Sequence, residues 1–403
     1  MKKVLVALSG GVDSSVAAHL LKSQGYECIG ATMRLLDGAD GQIADAKAVA
    51  DRIGIPFYEF DLRKEFRELV IDEFIKSYEN GDTPNPCVVC NKQLKFGLLL
   101  QKATELGCDF IATGHYAQIE SIDGRYVLKK AETLEKDQSY FLYSLPQEAL
   151  SRVLFPLGGY SKPEIRAIAE DLGLVTAKKR DSQDICFVPD GDYIKVIEDY
   201  TNKTYPKGNF VDVNGNVLGQ HQGIIRYTTG QRKGLGVAFG KPMYVGRKNV
   251  ATNEVTLCSD AELYSDTLKA TRLNWIAFPT PPEVFECSAR IRYRHIEQPA
   301  TVTVDGDTAT VKFDQPQRAA TSGQSVVFYD GDKVLGGGII KSKKAKLCGY
   351  HTLLAFALGF YFAENGSHSA VDSACPTLYK VLYYGEAEEV FGHVVQYLKR
   401  ELR

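Results

Sequence analysis

Several features that would classify the chain at once are missing. Its formal net charge is only −2 over 403 residues, which excludes a uniformly basic nucleic-acid binder while leaving local basic surfaces open. It lacks a run of about 20 apolar residues, the length a membrane-spanning helix needs. The one candidate, Leu353–Ala363 (LLAFALGFYFA), is too short, is flanked by His351 and Glu364, and reads as a buried or interface helix. Met1-Lys2-Lys3 leads straight into a strand-like run, without the apolar core and small-residue cleavage site of a secretory signal. The nine cysteines are too scattered for a disulfide framework. Together these absences predict a cytoplasmic protein with no membrane association. There is no internal repeat and no long low-complexity tract.

What is present is an alternation of periods. Apolar runs at Lys3–Leu8, Cys28–Met33, Pro56–Phe60 and Phe110–Thr113 read as strands, and Ser14–Gln24 and Ile43–Ile53 carry helical spacing between them. Strand and helix at such short intervals predict βαβ units, a parallel sheet, and a ligand outside the carboxyl ends of the strands. After about Tyr205 the texture changes. Asn214-Gly215, Asp305-Gly306 and Asp330-Gly331 mark turns, and Ala300–Val304 with Thr308–Phe313 reads as a hairpin. Helical character returns from Lys341 onward, beginning with a lysine-rich stretch (KSKKAK). The chain is too long for one ordinary core, and the expected divisions are an α/β domain over 1–205, small β-rich domains over 206–270 and 271–341, and a helical C-terminal extension over 342–403.

Ser9-Gly10-Gly11-Val12-Asp13-Ser14-Ser15 lies between the first strand and the first helix. Its glycines let backbone N–H groups approach an anion, its serines can cap the helix or donate to phosphate, and the helix N-terminus favours negative charge. No Gly-Lys-Ser/Thr follows, so it is not a Walker loop, and the spacing is wrong for a dinucleotide fingerprint. The string resembles the PP-loop of the ATP pyrophosphatase superfamily, whose members adenylate a substrate oxygen and release pyrophosphate. That resemblance implies ATP and Mg2+. It also implies nucleotide contacts from Ala7, Leu8, Ser9, Gly10, Gly11, Val12, Asp13 and Ser14, with Met33 at the adenine ring and Gly114 of Thr113-Gly114-His115-Tyr116 as a further contact.

Two cysteine strings narrow the acceptor. Asn85-Pro86-Cys87-Val88-Val89-Cys90-Asn91-Lys92 and Asp181-Ser182-Gln183-Asp184-Ile185-Cys186-Phe187, behind a PP-loop, resemble the tRNA 2-thiouridine synthases, over roughly residues 1–340. The resemblance implies ATP-dependent 2-thiolation of a wobble uridine, with Cys186 carrying a persulfide, Cys90 as the nucleophilic second thiol, and a Cys90–Cys186 disulfide formed in turnover. The chemistry favours two thiols: the uracil oxygen leaves once adenylated, a persulfide delivers one sulfur atom, and a second thiol cleaves the remaining S–S bond. A free thiol is only a few per cent ionised at neutral pH, and Lys92, Lys178, Lys179 and Arg180 are neighbours able to stabilise a thiolate. One common form of the family has Asp where this chain has Cys87. The CxxC so created leaves a second arrangement open, a [4Fe–4S] cluster on Cys87, Cys90 and Cys186.

The same resemblance assigns target-base contact to Asn85, Pro86 and Cys87, and tRNA contact to His115, Lys136, Asp137, Gln138, Arg292, Tyr293 and Gln324. It makes 206–270 a central tRNA-binding domain and 271–341 a C-terminal β-barrel. The implied partners are tRNAs reading Lys, Glu and Gln codons and a sulfur donor such as a cysteine desulfurase or sulfur-relay protein. Between Asp212 and Glu254 the basic residues Arg226, Arg232, Lys233, Lys241, Arg247 and Lys248 occur without an acid, a candidate phosphate surface. Arg290, Arg292 and Arg294 would share one face if they lay on a strand. Residues 342–403 match nothing in the family. Lys341, Lys343, Lys344 and Lys346 are candidates for an added tRNA or donor contact there, and Cys348 with Cys375 for a redox pair.

Overall fold

The alternation read from the first half of the chain is realised as β1 (Lys3–Ala7), α1 (Val12–Ser23), β2 (Glu27–Arg34), α2 (Asp40–Ile53) and β3 (Phe57–Asp61). The structure is a computed structural model that describes residues 1–174, 177 and 185–341. The expected helical extension, Lys343, Lys344, Lys346, Cys348, Cys375 and Leu353–Ala363 therefore lie outside the described residues, as do Lys178, Lys179 and Arg180, whereas Lys341 is described.

Two helical runs follow β3. Residues 63–79 (α3) pass through a π turn at Arg67–Ile71. Residues 86–105 (α4) are α-helical at Pro86–Cys90, π-helical at Asn91–Leu98 and α-helical again at Leu99–Glu105. Next come β4 (Phe110–Ala112), a hairpin of β5 (Gln118–Ile122) and β6 (Arg125–Lys129), and β7 (Val153–Leu154). The parallel sheet has the order β3-β2-β1-β4-β7. Val4, Leu5 and Val6 of β1 are fully buried because both faces are covered, which is why this strand reads as a continuous apolar run. The strand order reverses between β1 and β4, so their carboxyl ends open the crevice where such sheets bind ligands.

After the helices α5 (Lys162–Asp171) and α6 (Tyr193–Thr201) the chain turns to β structure. In the middle module β8 (Gly208–Val211), β9 (Val217–His221), β10 (Tyr244–Asn249) and β11 (Glu254–Cys258) form one sheet. Its core residues Phe210, Val245, Val255 and Leu257 cluster with Ile197 of α6 and with Phe66 and Phe74 of α3. The last module contains β12 (Tyr264–Trp275), β13 (Val284–Arg290), β14 (Gln298–Asp305), β15 (Thr308–Arg318), β16 (Ser325–Asp330) and β17 (Lys333–Ile340), and pairing of β12 with β17 closes it into a barrel. The expected hairpin is present as β14–β15, Asp305 facing Thr308. The expected boundary between residues 270 and 271 falls inside β12, so the barrel takes in that strand from Tyr264. A twelve-residue strand bonded to both β15 and β17 cannot be divided between two modules.

The modules are not beads on a string. β6 joins the barrel sheet beside β17, and Val327, Tyr329 and Val334 of the barrel share a core with Leu128, Tyr140 and Tyr143. Among the described residues no helix is long and apolar enough to cross a membrane.

Candidate functional site

The Ser9–Ser15 loop turns from β1 into α1 at the switch point. Gly10 has φ +67°, and a Cβ there would lie 2.5 Å from the Gln42 carbonyl oxygen, so both backbone conformation and space demand glycine. The Ser9 N–H donates to Ser14 Oγ (3.1 Å), and the Ser14 and Ser15 hydroxyls donate to the Gly11 carbonyl (3.2 and 2.7 Å). Gly11 caps α1 without a side chain, leaving the positive end of the helix open to an anion. Gly114, after β4, is pressed against this helix: a Cβ would meet the Ser14 nitrogen at 2.7 Å. Met33 ends β2 half-buried, touching the cores on both sides.

One group here was not foreseen. Lys162, 9% exposed, donates to both Asp13 carboxylate oxygens at 2.7 and 2.9 Å, and the Tyr116 hydroxyl donates to the same carboxylate at 2.8 Å. The Asp13 carboxylate thus ties together the two switch-point loops and the start of α5. Ser161-Lys162-Pro163-Glu164 forms a capping box, which sequence could have marked as a helix start. Nothing local marks its pairing with Asp13.

The thiols are assembled from two distant segments. Pro86 begins α4, placing Cys87 on the accessible side and Cys90 one turn later in a buried position. Cys186 is accessible, and its neighbour Phe187 is driven into the core against Phe66 (5.7 Å) and Phe74 (5.1 Å), edge to face. All three are free thiols. Burial by the surrounding protein pushes Cys186 up to about 11, with the charges of Cys90 and Cys87 adding to the rise and Lys95 opposing it. Burial also raises Cys87 and Cys90, again opposed by Lys95. Cys90 and Phe187, the neighbour of Cys186, lie in one core cluster, and Lys95 on the π-helical segment is the cation that opposes the rise at each of the three thiols. Lys92, expected in that role, is exposed. Lys95 lies on the π-helical segment Asn91–Leu98, a local irregularity that no propensity signal announces.

The charge of Lys95 is also felt at His115, beside Gly114. His115, next to Gly114, lies between the rings of Phe96 and Phe155 (both 5.9 Å) with Nδ1 bonded to Thr113 Oγ1 at 2.7 Å. Burial first, then Lys95, holds its pKa well below 6.5, so the imidazole is neutral at pH 7. Among the described residues no group of three His, Cys, Asp or Glu side chains is placed to hold a metal ion.

Several residues expected to touch RNA are occupied inside the protein. Asp137 is 1% exposed and accepts from the backbone N–H groups of Ala131 and Ser139 and from Ser139 Oγ, with Arg290 at 3.6 Å. These partners order the loop between Ala131 and Ser139. Gln138 accepts from the Tyr116 N–H at 3.0 Å, while Lys136 is half-exposed. β13 ends at Arg290, so the three arginines do not share a strand face. Arg290 pairs with Glu297 at 2.8 Å, and Arg292 donates to the carbonyls of Thr229 and Ala319 at 3.1 Å and to Thr321, which turns it inward; only Arg294 is exposed. Tyr293 packs on Phe141 at 4.4 Å and stays half-buried. In the middle module Arg226 pairs with Glu198, whereas Arg232, Lys233, Lys241 and Arg247 are exposed.

Known proteins resemble the chain along its described length. Residues 2–190 match the family described as tRNA methyl transferase HUP domain, 194–259 the tRNA methyl transferase PRC-barrel domain, and 265–340 the aminomethyltransferase beta-barrel domain. The tRNA-specific 2-thiouridylase MnmA of Geotalea uraniireducens is 51% identical over 357 residues, covering 84% of this chain and 95% of that protein. The protein of the same name from Clostridioides difficile is 49% identical over 354 residues, covering 84% and 98%. A more partial overlap, at 24% identity and a TM-score of 0.32, is with the U34-tRNA thiolase NcsA from Methanococcus maripaludis, solved with its [4Fe-4S] cluster; it covers 49% of this chain and 67% of that one. Overlap of that degree carries no functional weight.

Proposed function

The chain belongs to the tRNA-specific 2-thiouridylases, and from that premise we propose how its residues carry out ATP-dependent 2-thiolation of the tRNA wobble uridine. The observation that supports the residue roles most is that Cys90 shares a core cluster with Phe187, the neighbour of Cys186, while Cys87 lies on the same turn of α4 as Cys90.

ATP binds with its phosphates at the Gly10–Ser14 turn, against Ala7, Leu8 and Val12, and its adenine toward Met33 and Gly114. The open N-terminus of α1 and the glycines at 10 and 114 fit a polyphosphate. Mg2+ would neutralise charge on the departing pyrophosphate, while Asp13, held by Lys162 and Tyr116, fixes the turn that receives the phosphates. The uracil, extruded from the anticodon loop, rests against Asn85, Pro86 and Cys87; eversion from a loop costs less than from a duplex. Its O2 attacks the α-phosphorus and pyrophosphate leaves. The terminal sulfur of a Cys186 persulfide then attacks C2, and AMP departs with the original oxygen. The Cys90 thiolate attacks the Cys186 sulfur, which frees the C2 thiocarbonyl and leaves a Cys90–Cys186 disulfide. An external thiol reduces that disulfide, and a sulfur donor of the desulfurase or relay class reloads Cys186.

With burial raising all three thiols, they are protonated at neutral pH before RNA arrives. Lys95 opposes this and is assigned the thiolate-stabilising role expected of Lys92. The substrates are tRNAs reading Lys, Glu and Gln codons, and the reaction takes place in the cytoplasm. The cluster arrangement is not retained: the relatives at about half identity carry names without it, and the persulfide route needs no metal.

Purified protein with ATP, a cysteine desulfurase and cysteine as the persulfide source, a reducing thiol and an unmodified anticodon stem-loop is expected to yield 2-thiouridine by nucleoside mass analysis. Cys186→Ser is expected to abolish the product, at least about 10³-fold, with ATP binding retained. Full activity in that variant would end the persulfide reading. Equal activity and equal visible absorption in aerobic and anaerobic preparations are expected, and an anaerobic chromophore tied to activity would restore the cluster.

A further inference from the structure

The first turn of α4, which carries Cys87 and Cys90, has little of its own to hold it. Its N-cap Asn85 makes no side-chain capping bond, Pro86 removes a donor, and after five α-helical residues the run becomes π-helical at Asn91. A turn this short is marginal without tertiary support. Support arrives at the preceding segment, Asp82–Pro84, from the two other modules.

From the barrel, the Gln324 side-chain amide donates to the carbonyls of Thr83 (2.8 Å) and Pro84 (3.2 Å). The Thr83 N–H donates to the Ser322 carbonyl at 2.9 Å, and the Ser322 hydroxyl donates to Asp82. Between them Gly323, at φ +87°, passes so close that a Cβ would lie 2.9 Å from both the Asp82 Cβ and the Thr83 nitrogen. From the middle module, Lys248 reaches the Asp82 carbonyl and Thr228 reaches Thr83, each at 3.5 Å.

We infer that Asp82–Pro84 is a three-module junction that sets the start of the cysteine helix, and that Gln324 and Ser322 are positioning residues for Cys90. Family resemblance assigns Gln324 to RNA; here its amide is engaged by the two carbonyls that lead into Asn85. The inference deepens the role given to Cys90 and rests on that reading for its functional meaning, but the geometry can be tested without turnover.

The test is peptide-resolved alkylation of the full chain by iodoacetamide in the absence of tRNA, comparing Gln324→Leu and Ser322→Ala with the unaltered protein. Cys28 and Cys258, buried elsewhere, report general loosening. Release of the first turn is expected to speed Cys90 modification by at least about fivefold with Cys28 and Cys258 unchanged, because Cys90 is shielded where it stands. In thiolation assays kcat is expected to fall more than KM for tRNA rises. Unchanged Cys90 modification with a rise confined to KM would overturn the inference and leave Gln324 as an RNA contact only. Equal acceleration at Cys28 or Cys258 would overturn it too, since the contacts would then support the fold at large. If Gln324→Leu does not fold, Ser322→Ala decides the matter. Failure of every preparation to thiolate RNA would count against the proposed function without touching the alkylation result.

Discussion

Between β1 and α1, seven contiguous residues supply the glycines, hydroxyls and helix end of the nucleotide loop, and its serine hydrogen bonds close within five positions. The three thiols come instead from α4 and from the segment around Cys186. They are held by Phe187 in a core shared with the middle module and by barrel residues behind Asp82–Pro84. The first site can be damaged mainly from nearby, whereas the second is open to damage from other modules. The contrast also separates two kinds of electrostatics. The loop binds through fixed backbone dipoles, while thiol reactivity depends on how remote protein desolvates each sulfur.

The sharpest way to break this comparison is at Gly114. Gly114→Ala drives a Cβ into the Ser14 and Asp13 backbone and is expected to raise KM for ATP at least about fivefold, from the ~1–3 kcal/mol of a forced core contact. Alkylation of Cys90 and Cys186 should stay unchanged, measured beside ATP kinetics; an equal shift in both would show that the two sites are one mechanical unit. Lys95→Met sharpens the comparison from the other side. Removing the cation that opposes the thiol shifts is expected to slow Cys186 alkylation at pH 8 roughly threefold to fivefold, with ATP affinity unmoved and Lys95→Arg restoring the rate.

The smallest effect concerns His115, which stands between the two regions. Its folded-state pKa lies well below 6.5, so the folded protein excludes a proton that the unfolded chain binds. The stability this represents is present above about pH 6.5 and is lost as pH falls, at no more than ~1.4 kcal/mol per pH unit. Urea titrations at pH 7.5 and 5.5 should show a shallower pH dependence in His115→Gln. An unchanged slope would move the titrating group elsewhere.

Much of the α/β half was legible because strand and helix periods, and the glycine-rich turn between β1 and α1, are local patterns. The cysteine strings were legible as strings. Lys162 and Lys95 were not, since their importance comes from partners that are distant in sequence. Arg292 and Asp137 show a different gap: each stands in a string tied to RNA by resemblance, and only the packed chain reveals its hydrogen-bond partners in neighbouring loops. A run of arginines at alternate positions says strand only where a strand continues, and β13 stops at the first of them.

By itself the sequence determined the order of elements, the glycine-rich turn after β1 and the strings that carry the candidate thiols, because periodicity, backbone freedom at glycine and thiol chemistry belong to residues and their immediate neighbours. Only the tertiary structure decided which cation faces the thiols, which carboxylate meets Lys162, which arginines are spent inside, and how the barrel reaches the start of the cysteine helix. Those outcomes depend on desolvation and on hydrogen bonds between chain segments far apart, and neither exists until the modules pack.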